Sequence, residues 1–235
     1  MLVKTNIKNP FLFLFLLLTI APLVTNAQTS IGFDAGITYN KLNLNGRNNI
    51  ILSSKEGYIT SINLNHKLNK LLILETSASI LQKNYSIKNK TNIYQNIKNT
   101  YFQLPVSLKY KKKLTNRLSA SGVLGVYYAY WLRSNIDGLA PNVFELSSNN
   151  ENVESIKLEY IKYAHDFNLK QDNRSEFGCV GKVELEYRIF SDFSCQLKGH
   201  YYESLTSQQK QTSELQQPEY NKTFAATLGL SYYFK

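Results

Sequence analysis

Between Tyr101 and Tyr110 the chain reads YFQLPVSLKY, an alternation that sets Phe102, Leu104, Val106, Leu108 and Tyr110 on one side and Gln103, Pro105, Ser107 and Lys109 on the other. Successive side chains of an extended chain point to opposite faces, so this is a strand with two chemically different faces. The pattern recurs. Ile31, Phe33, Ala35, Ile37 and Tyr39 interleave with Gly32, Asp34, Gly36, Thr38 and Asn40, and Tyr58, Thr60, Ile62 and Leu64 with Ser61, Asn63 and Asn65. Leu72, Leu74, Thr76, Ala78 and Ile80 stand against Glu75, Ser77 and Ser79. Beyond the opening stretch, Leu118, Ala120, Leu124, Val126, Tyr128 and Tyr130 form a fifth apolar series, and Phe177, Cys179, Val183, Leu185, Tyr187 and Ile189 a sixth, opposite Lys182, Glu184, Glu186 and Arg188. Phe193, Cys195, Leu197 and Tyr201 oppose Ser194, Gln196, Lys198 and His200, and the last series runs Phe224, Ala226, Leu228, Leu230, Tyr232, Phe234. Eight strands are predicted.

Alternation alone does not say whether the apolar faces meet a protein core or lipid. The connections decide it. Residues 66–70, 111–116 and 190–192 are tight links, whereas 41–56, 84–99, 133–175 and 204–220 are long and polar, so short and long links alternate. An up-and-down barrel with short periplasmic turns and longer outer loops has this asymmetry. A sheet in hydrocarbon must also close, because unpaired backbone groups find no partner in lipid. The expectation is an all-β, eight-stranded, antiparallel transmembrane barrel with apolar faces outward and polar faces lining a lumen. Tyr39, Tyr58, Tyr110, Tyr128, Tyr130, Trp131, Tyr187, Tyr201, Tyr232 and Tyr233 lie near strand ends, where aromatic girdles sit. Residues 152–167 fit a strand or a helix equally well.

The N-terminus places Lys4 and Lys8 before FLFLFLLLTIAPLV and then TNAQ, the layout of a secretory signal peptide; residues 1–27 are assigned to it and 28–235 to the barrel domain. No cysteine follows the cut, which argues against a lipid anchor. The formal charge of +10 falls to +8 once Lys4 and Lys8 leave. For an exported chain, that charge suits anionic headgroups better than nucleic acid. The chain contains 17 Tyr and 12 Phe against one Met and one Trp, a strand-rich profile.

In their order along the chain, GFDAG, the aromatic strand ending in PVSLKY, SGVLGVYYAY, FGCVGKVELEYRI and NKTFAATLGLSYYF together resemble the PorT-like outer-membrane β-barrel proteins of Bacteroidota. The resemblance covers essentially the whole mature chain. It implies an eight-stranded barrel in the outer membrane of a Gram-negative bacterium, and its namesake is associated with type IX secretion.

The placement of the three histidines argues against catalysis. His66 falls in a short link, His165 in the longest one, and His200 on the seventh strand with Glu203 and Ser204 beyond it; strand spacing sends His200 and Glu203 to opposite faces. No metal-ligand spacing, cofactor motif or nucleic-acid motif is present. Cys195 is expected opposite about residue 187, which leaves Cys179 over 20 Å away and both thiols unbridged, facing lipid. The candidate site is instead a lumen charge network of Asp34, Glu75, Lys109, Lys182, Glu184, Glu186, Arg188 and Lys198. Leu228, Leu230, Tyr232 and Phe234 form the expected assembly signal for the barrel-assembly machinery. The function expected is a non-enzymatic envelope scaffold or binding platform with long outer loops. Its surroundings would be outer-membrane lipid and lipopolysaccharide, with an envelope or secretion protein as partner. The alternatives are a type IX-like secretion accessory and a lipid A- or phospholipid-modifying barrel enzyme.

Overall fold

The computed structural model describes residues 29–44, 50–89, 93–148, 154–168, 170–210 and 218–234. The leader assigned to residues 1–27 lies outside them. Ten strands form: β1 (Thr29–Leu44), β2 (Ile50–Lys67), β3 (Leu72–Gln82), β4 (Tyr85–Asn89), β5 (Tyr94–Lys113), β6 (Leu118–Ser148), β7 (Glu154–Ala164), β8 (Ser175–Arg188), β9 (Phe193–Ser204) and β10 (Glu219–Tyr233).

Eight of them close a ring. β1, β2, β3, β5, β6, β8, β9 and β10 pair antiparallel in that order, and β10 returns to β1. Following the ladder from Ile31 through Leu64, Thr76, Val106, Val126, Cys179, Glu203 and Lys222 leads back to β1 at Lys41, ten residues from the start. For eight strands that stagger sets a tilt of about 40° and a backbone radius of about 8 Å, a bore that side chains fill.

The faces are inverted relative to a water-soluble protein. Leu124, Val183 and Leu228 are 75%, 69% and 69% exposed on the outer wall, whereas Gln103, Lys109 and Lys198 inside are 0%, 2% and 2% exposed. Lysine sealed away and leucine laid bare is the distribution that hydrocarbon outside and a polar lumen impose. Two residues placed in the aromatic girdle by sequence face inward instead. Trp131 is 5% exposed and stacks on Tyr101, and Tyr233 donates its hydroxyl to Glu186 inside the rim. Both share the parity of inward neighbours, Ala129 and Ser231, and in a strand adjacent residues cannot both face lipid.

The tight turns over 68–71, 114–117 and 189–192 close one end of the barrel. The other end differs from expectation. The links expected over 41–56, 84–99 and 133–175 are largely strand, because β1, β2, β5 and β6 run on past the ring and take in β4 and β7. β6 alone has 31 residues, against the roughly 10 that cross a bilayer. Alternation fades there because a sheet beyond the membrane has no lipid to face and needs no continuous apolar wall; backbone pairing carries most of it. Leu42, Tyr85 and Ile97, with Leu52, Ile87 and Ile136 against them, make a separate apolar cluster in this outer part. The segment left open over 152–167 is largely strand β7.

Candidate functional site

The interior is organised by parity. Every second residue of each ring strand enters a bore too narrow for water to shield a charge, so each charge there needs a partner. Five carboxylates meet five lysines. Lys198 Nζ lies 2.8 Å from Asp34, Lys182 Nζ 2.6 Å from Glu75, Lys109 Nζ 2.6 Å from Glu184, and Lys111 Nζ 2.5 Å from Glu186; Lys83 pairs with Glu176. Contacts of 3.8 Å from Lys109 to Glu75 and from Lys198 to Glu184 join the central pairs into a chain running Asp34, Lys198, Glu184, Lys109, Glu75, Lys182. Those groups come from β1, β9, β8, β5 and β3, so the chain of charges spans the bore from wall to wall.

Neutral donors add to three of these carboxylates. Asn63 Nδ2 and Ser61 Oγ donate to Asp34 at 2.6 and 3.4 Å, and Tyr233 Oη donates to Glu186 at 2.6 Å. Toward the outer end, Glu176 accepts from Tyr127 Oη at 2.7 Å and Asn221 Nδ2 at 2.9 Å. Lys83 Nζ also lies 4.8 Å and 5.1 Å from the centres of the Tyr101 and Tyr127 rings. Tyr127 lies flat across Gly178, where a Cβ would come within 2.5 Å of its ring.

Above this layer an aromatic stack caps the bore. Trp131 sits between Tyr101 and His165, with ring centres 5.9 and 6.0 Å apart, and Phe167 meets it edge-on at 4.9 Å. His165 and Phe167 belong to the segment returning from β7, which Asp172 braces through His165 Nε2 at 3.0 Å and the Asn168 N–H at 2.7 Å. Arg174 Cζ lies 4.2 Å from the Phe167 ring centre.

Of the residues singled out from sequence, Asp34, Glu75, Lys109, Lys182, Glu184, Glu186 and Lys198 are all buried inside the bore. Arg188 lies at the short-turn rim, its guanidinium 5.1 Å from the Tyr233 ring centre. Lys83, Lys111 and Glu176 were missed. All three continue an inward parity already read from sequence: Lys111 follows Lys109, Glu176 precedes Lys182 in the even series of β8, and Lys83 follows the odd series of Glu75, Ser77 and Ser79 just past the end of β3, so carrying the period beyond the expected strand ends would have found them. Leu228, Leu230, Tyr232 and Phe234 all face outward on and just beyond β10, at 69%, 60%, 38% and 48% exposure.

The histidines are engaged inside the fold. His200 Nε2 is 2.9 Å from Thr227 Oγ1 and its Nδ1 3.1 Å from the Tyr202 hydroxyl, while Glu203 points outward to Lys222 at 2.8 Å. His66 Nδ1 lies 3.5 Å from Thr29 Oγ1, and His66 itself belongs to β2, not to a turn. Among the described residues no group of three or more His, Cys, Asp or Glu side chains is placed to hold a metal ion.

A closed ring of tilted strands, apolar outside and ion-paired within, defines a small β-barrel of the Gram-negative outer membrane. The chain belongs to the outer membrane protein beta-barrel domain family, whose model matches residues 26–209. Among solved structures it is similar to the outer membrane protease OmpT from Escherichia coli, at 10% identity over 90% of this chain and 98% of that one, TM-score 0.50. It is also similar to OprG from Pseudomonas aeruginosa (14% identity, 88% and 96% covered, TM-score 0.49) and to Ail, the attachment invasion locus protein of Yersinia pestis (13%, 89% and 100%, 0.43). At such identities the likeness bears on the fold alone. Comparison with curated protein sequences finds no match.

Proposed function

We propose that the protein is a non-enzymatic binding platform: a rigid, plugged barrel that anchors a projecting sheet outside the cell. The observation that carries this reading is the continuation of β1, β2, β5 and β6 past the ring as paired sheet, with β4 and β7 added and an apolar cluster of its own. Loops that only closed the barrel would need a few residues each. The charge chain across the bore supports the same reading, since it braces the ring against the load of a long sheet and leaves no aqueous path. Each described histidine is held by a structural partner, which favours a platform over a catalyst. Export on a leader cut after Ala27 and insertion by the barrel-assembly machinery through the β10 series complete the proposal. Outer-membrane lipid and lipopolysaccharide would surround the apolar wall.

The PorT-like strand motifs add a narrower reading, an accessory role beside a type IX-like secretion machine. One experiment addresses both. The full-length protein is crosslinked in intact cells and pulled down, alongside a variant in which residues 142–162 are replaced by a short turn. Partners captured only by the full-length chain support the platform, and their identity decides for or against secretion. Identical captures from both chains would refute it.

A further inference from the structure

The outermost strand of the projecting sheet has an open edge and a charge pattern that fits itself. β8 leaves β6 at Tyr130↔Ser175, and β7 takes its place from Asn135↔Ala164 to Ser148↔Glu154, so the β6–β7 hairpin extends roughly 40 Å along the strand beyond the ring. Among the described residues β7 pairs with β6 and stands last in the sheet. Half of its backbone N–H and C=O groups therefore point away from the sheet, as a template for another strand. Leu158, Tyr160 and Tyr163 are 40%, 57% and 47% exposed along it.

Proteins usually blunt such an edge with lysine, proline or a short strand. β7 has 11 residues, no proline, and charges that alternate in sign: Glu154, Lys157, Glu159, Lys162. If a second β7 runs antiparallel with Leu158 opposite its own copy, position 154 stands opposite 162 and 157 opposite 159. All four charges then face the opposite sign, and Ile156 stands opposite Tyr160 around the central leucines. Placing Lys157 or Glu159 on the symmetry axis sets like charges against each other, and a one-residue slip leaves all four opposite uncharged residues. Opposite charges directly across a strand pair stabilise it and like charges destabilise it, so the pattern selects one register.

The direction of the strand fixes where the second copy stands. A twofold axis along the membrane normal preserves a strand's rise from the membrane, whereas antiparallel pairing reverses it. A strand climbing away from one membrane therefore pairs with its copy only when that copy descends from a facing membrane. Resting on the platform reading above, we infer that the β7 edge is a homophilic docking strand, joining two copies of this protein across opposing outer membranes. Each contact is small, and many contacts between two surfaces add by avidity.

The test uses full-length protein refolded into two populations of phosphatidylcholine vesicles carrying different fluorophores, with clustering read by their coincidence. Wild-type vesicles cluster. Lys157→Glu with Lys162→Glu, and separately Glu154→Lys with Glu159→Lys, each lower clustering by about tenfold or more, and mixing the two variants restores it. Faster migration in unheated than in boiled gels confirms that each variant is folded. Under mild oxidation Leu158→Cys forms a dimer linked through its own position, because directly opposed residues lie about 4.5–5.5 Å apart, within disulfide reach, whereas Tyr160→Cys does not. Clustering by either charge variant alone, failure of the mixture, or crosslinking at position 160 instead of 158 overturns the inference. Absence of wild-type clustering, with capture from cells still dependent on the hairpin, overturns the homophilic edge and leaves the platform reading standing. Loss of both overturns both.

Discussion

Lys198 on β9 and Asp34 on β1, 164 residues apart in the chain, are joined by hydrogen bonds of 2.8 and 3.1 Å from one ammonium to both carboxylate oxygens. They are not on neighbouring strands. β10 runs between them, and the residue it places there is Gly229, opposite both Asp34 and Gln196. A Cβ at that position would lie 1.9 Å from Asp34 Oδ1. The pair that ties the first strand of the ring to its last hairpin thus depends on a missing side chain.

Asp34→Ala should lower unfolding stability by about 3–5 kcal/mol, the usual cost of leaving a buried charge without its partner. Gly229→Ala should also lower it, by displacing the same carboxylate with no change in charge. Urea unfolding in lipid vesicles measures both. An unchanged midpoint for Asp34→Ala would show that Lys198 moves fully onto Glu184, now 3.8 Å away.

Planar-bilayer recordings of the refolded protein should show no porin-sized conductance steps. The bore has a backbone radius of about 8 Å and is filled by ion pairs and capped by Trp131. Stable, large steps would refute the plugged lumen.

Cys179 and Cys195 should behave as two free thiols in spite of an oxidising compartment. Tyr187 stands opposite Cys195, and Cys179 is opposite Glu203, eight residues along β9. That distance, over 20 Å, exceeds any disulfide. Identical migration with and without reductant, and labelling of both thiols by a membrane-permeant alkylating agent, is the expected result.

Acid should loosen the base of the outer hairpins before the ring. The Asn96 amide, 3.0 Å from Asp137, and the Lys98 ammonium, also at 3.0 Å, hold the Asp137 carboxyl below its ordinary value. A depressed carboxyl stabilises the fold above the ordinary aspartate pKa, and that contribution disappears as pH falls below about 4 toward the folded value. Hydrogen exchange of β5 and β6 around these residues should rise over that interval in wild type. In Asp137→Asn it should vary less with pH; equal variation would assign the effect elsewhere.

Phe234→Ala should reduce the amount of protein in outer-membrane fractions without preventing cleavage after Ala27, if the terminal aromatic acts as an assembly signal. Mass spectrometry of the mature N-terminus and unheated gel migration separate the two steps. Normal insertion would remove Phe234 from that role.

The alternation along the chain was enough to determine that this protein is a sheet with one apolar and one polar face, and alternating link lengths were enough to close it into eight strands. Parity is a local property, set residue by residue, so Asp34, Glu75 and Lys109 could be assigned to the lumen from their neighbours alone. Parity also exposed its own limits. Trp131 and Tyr233 drew attention for their chemistry, while their positions put them inside. Which lysine meets which carboxylate was decided by the tertiary structure, because the ten-residue stagger of the closed ring fixes the height at which each inward side chain enters the bore. The projecting sheet was only partly legible in the sequence, where residues 152–167 fitted a strand and a helix equally well. Outside the membrane no continuous apolar face is required, so β4, β7 and the outer half of β6 are held by backbone pairing, and β4 also by the small cluster around Tyr85 and Ile97, to partners that only the folded ring brings alongside.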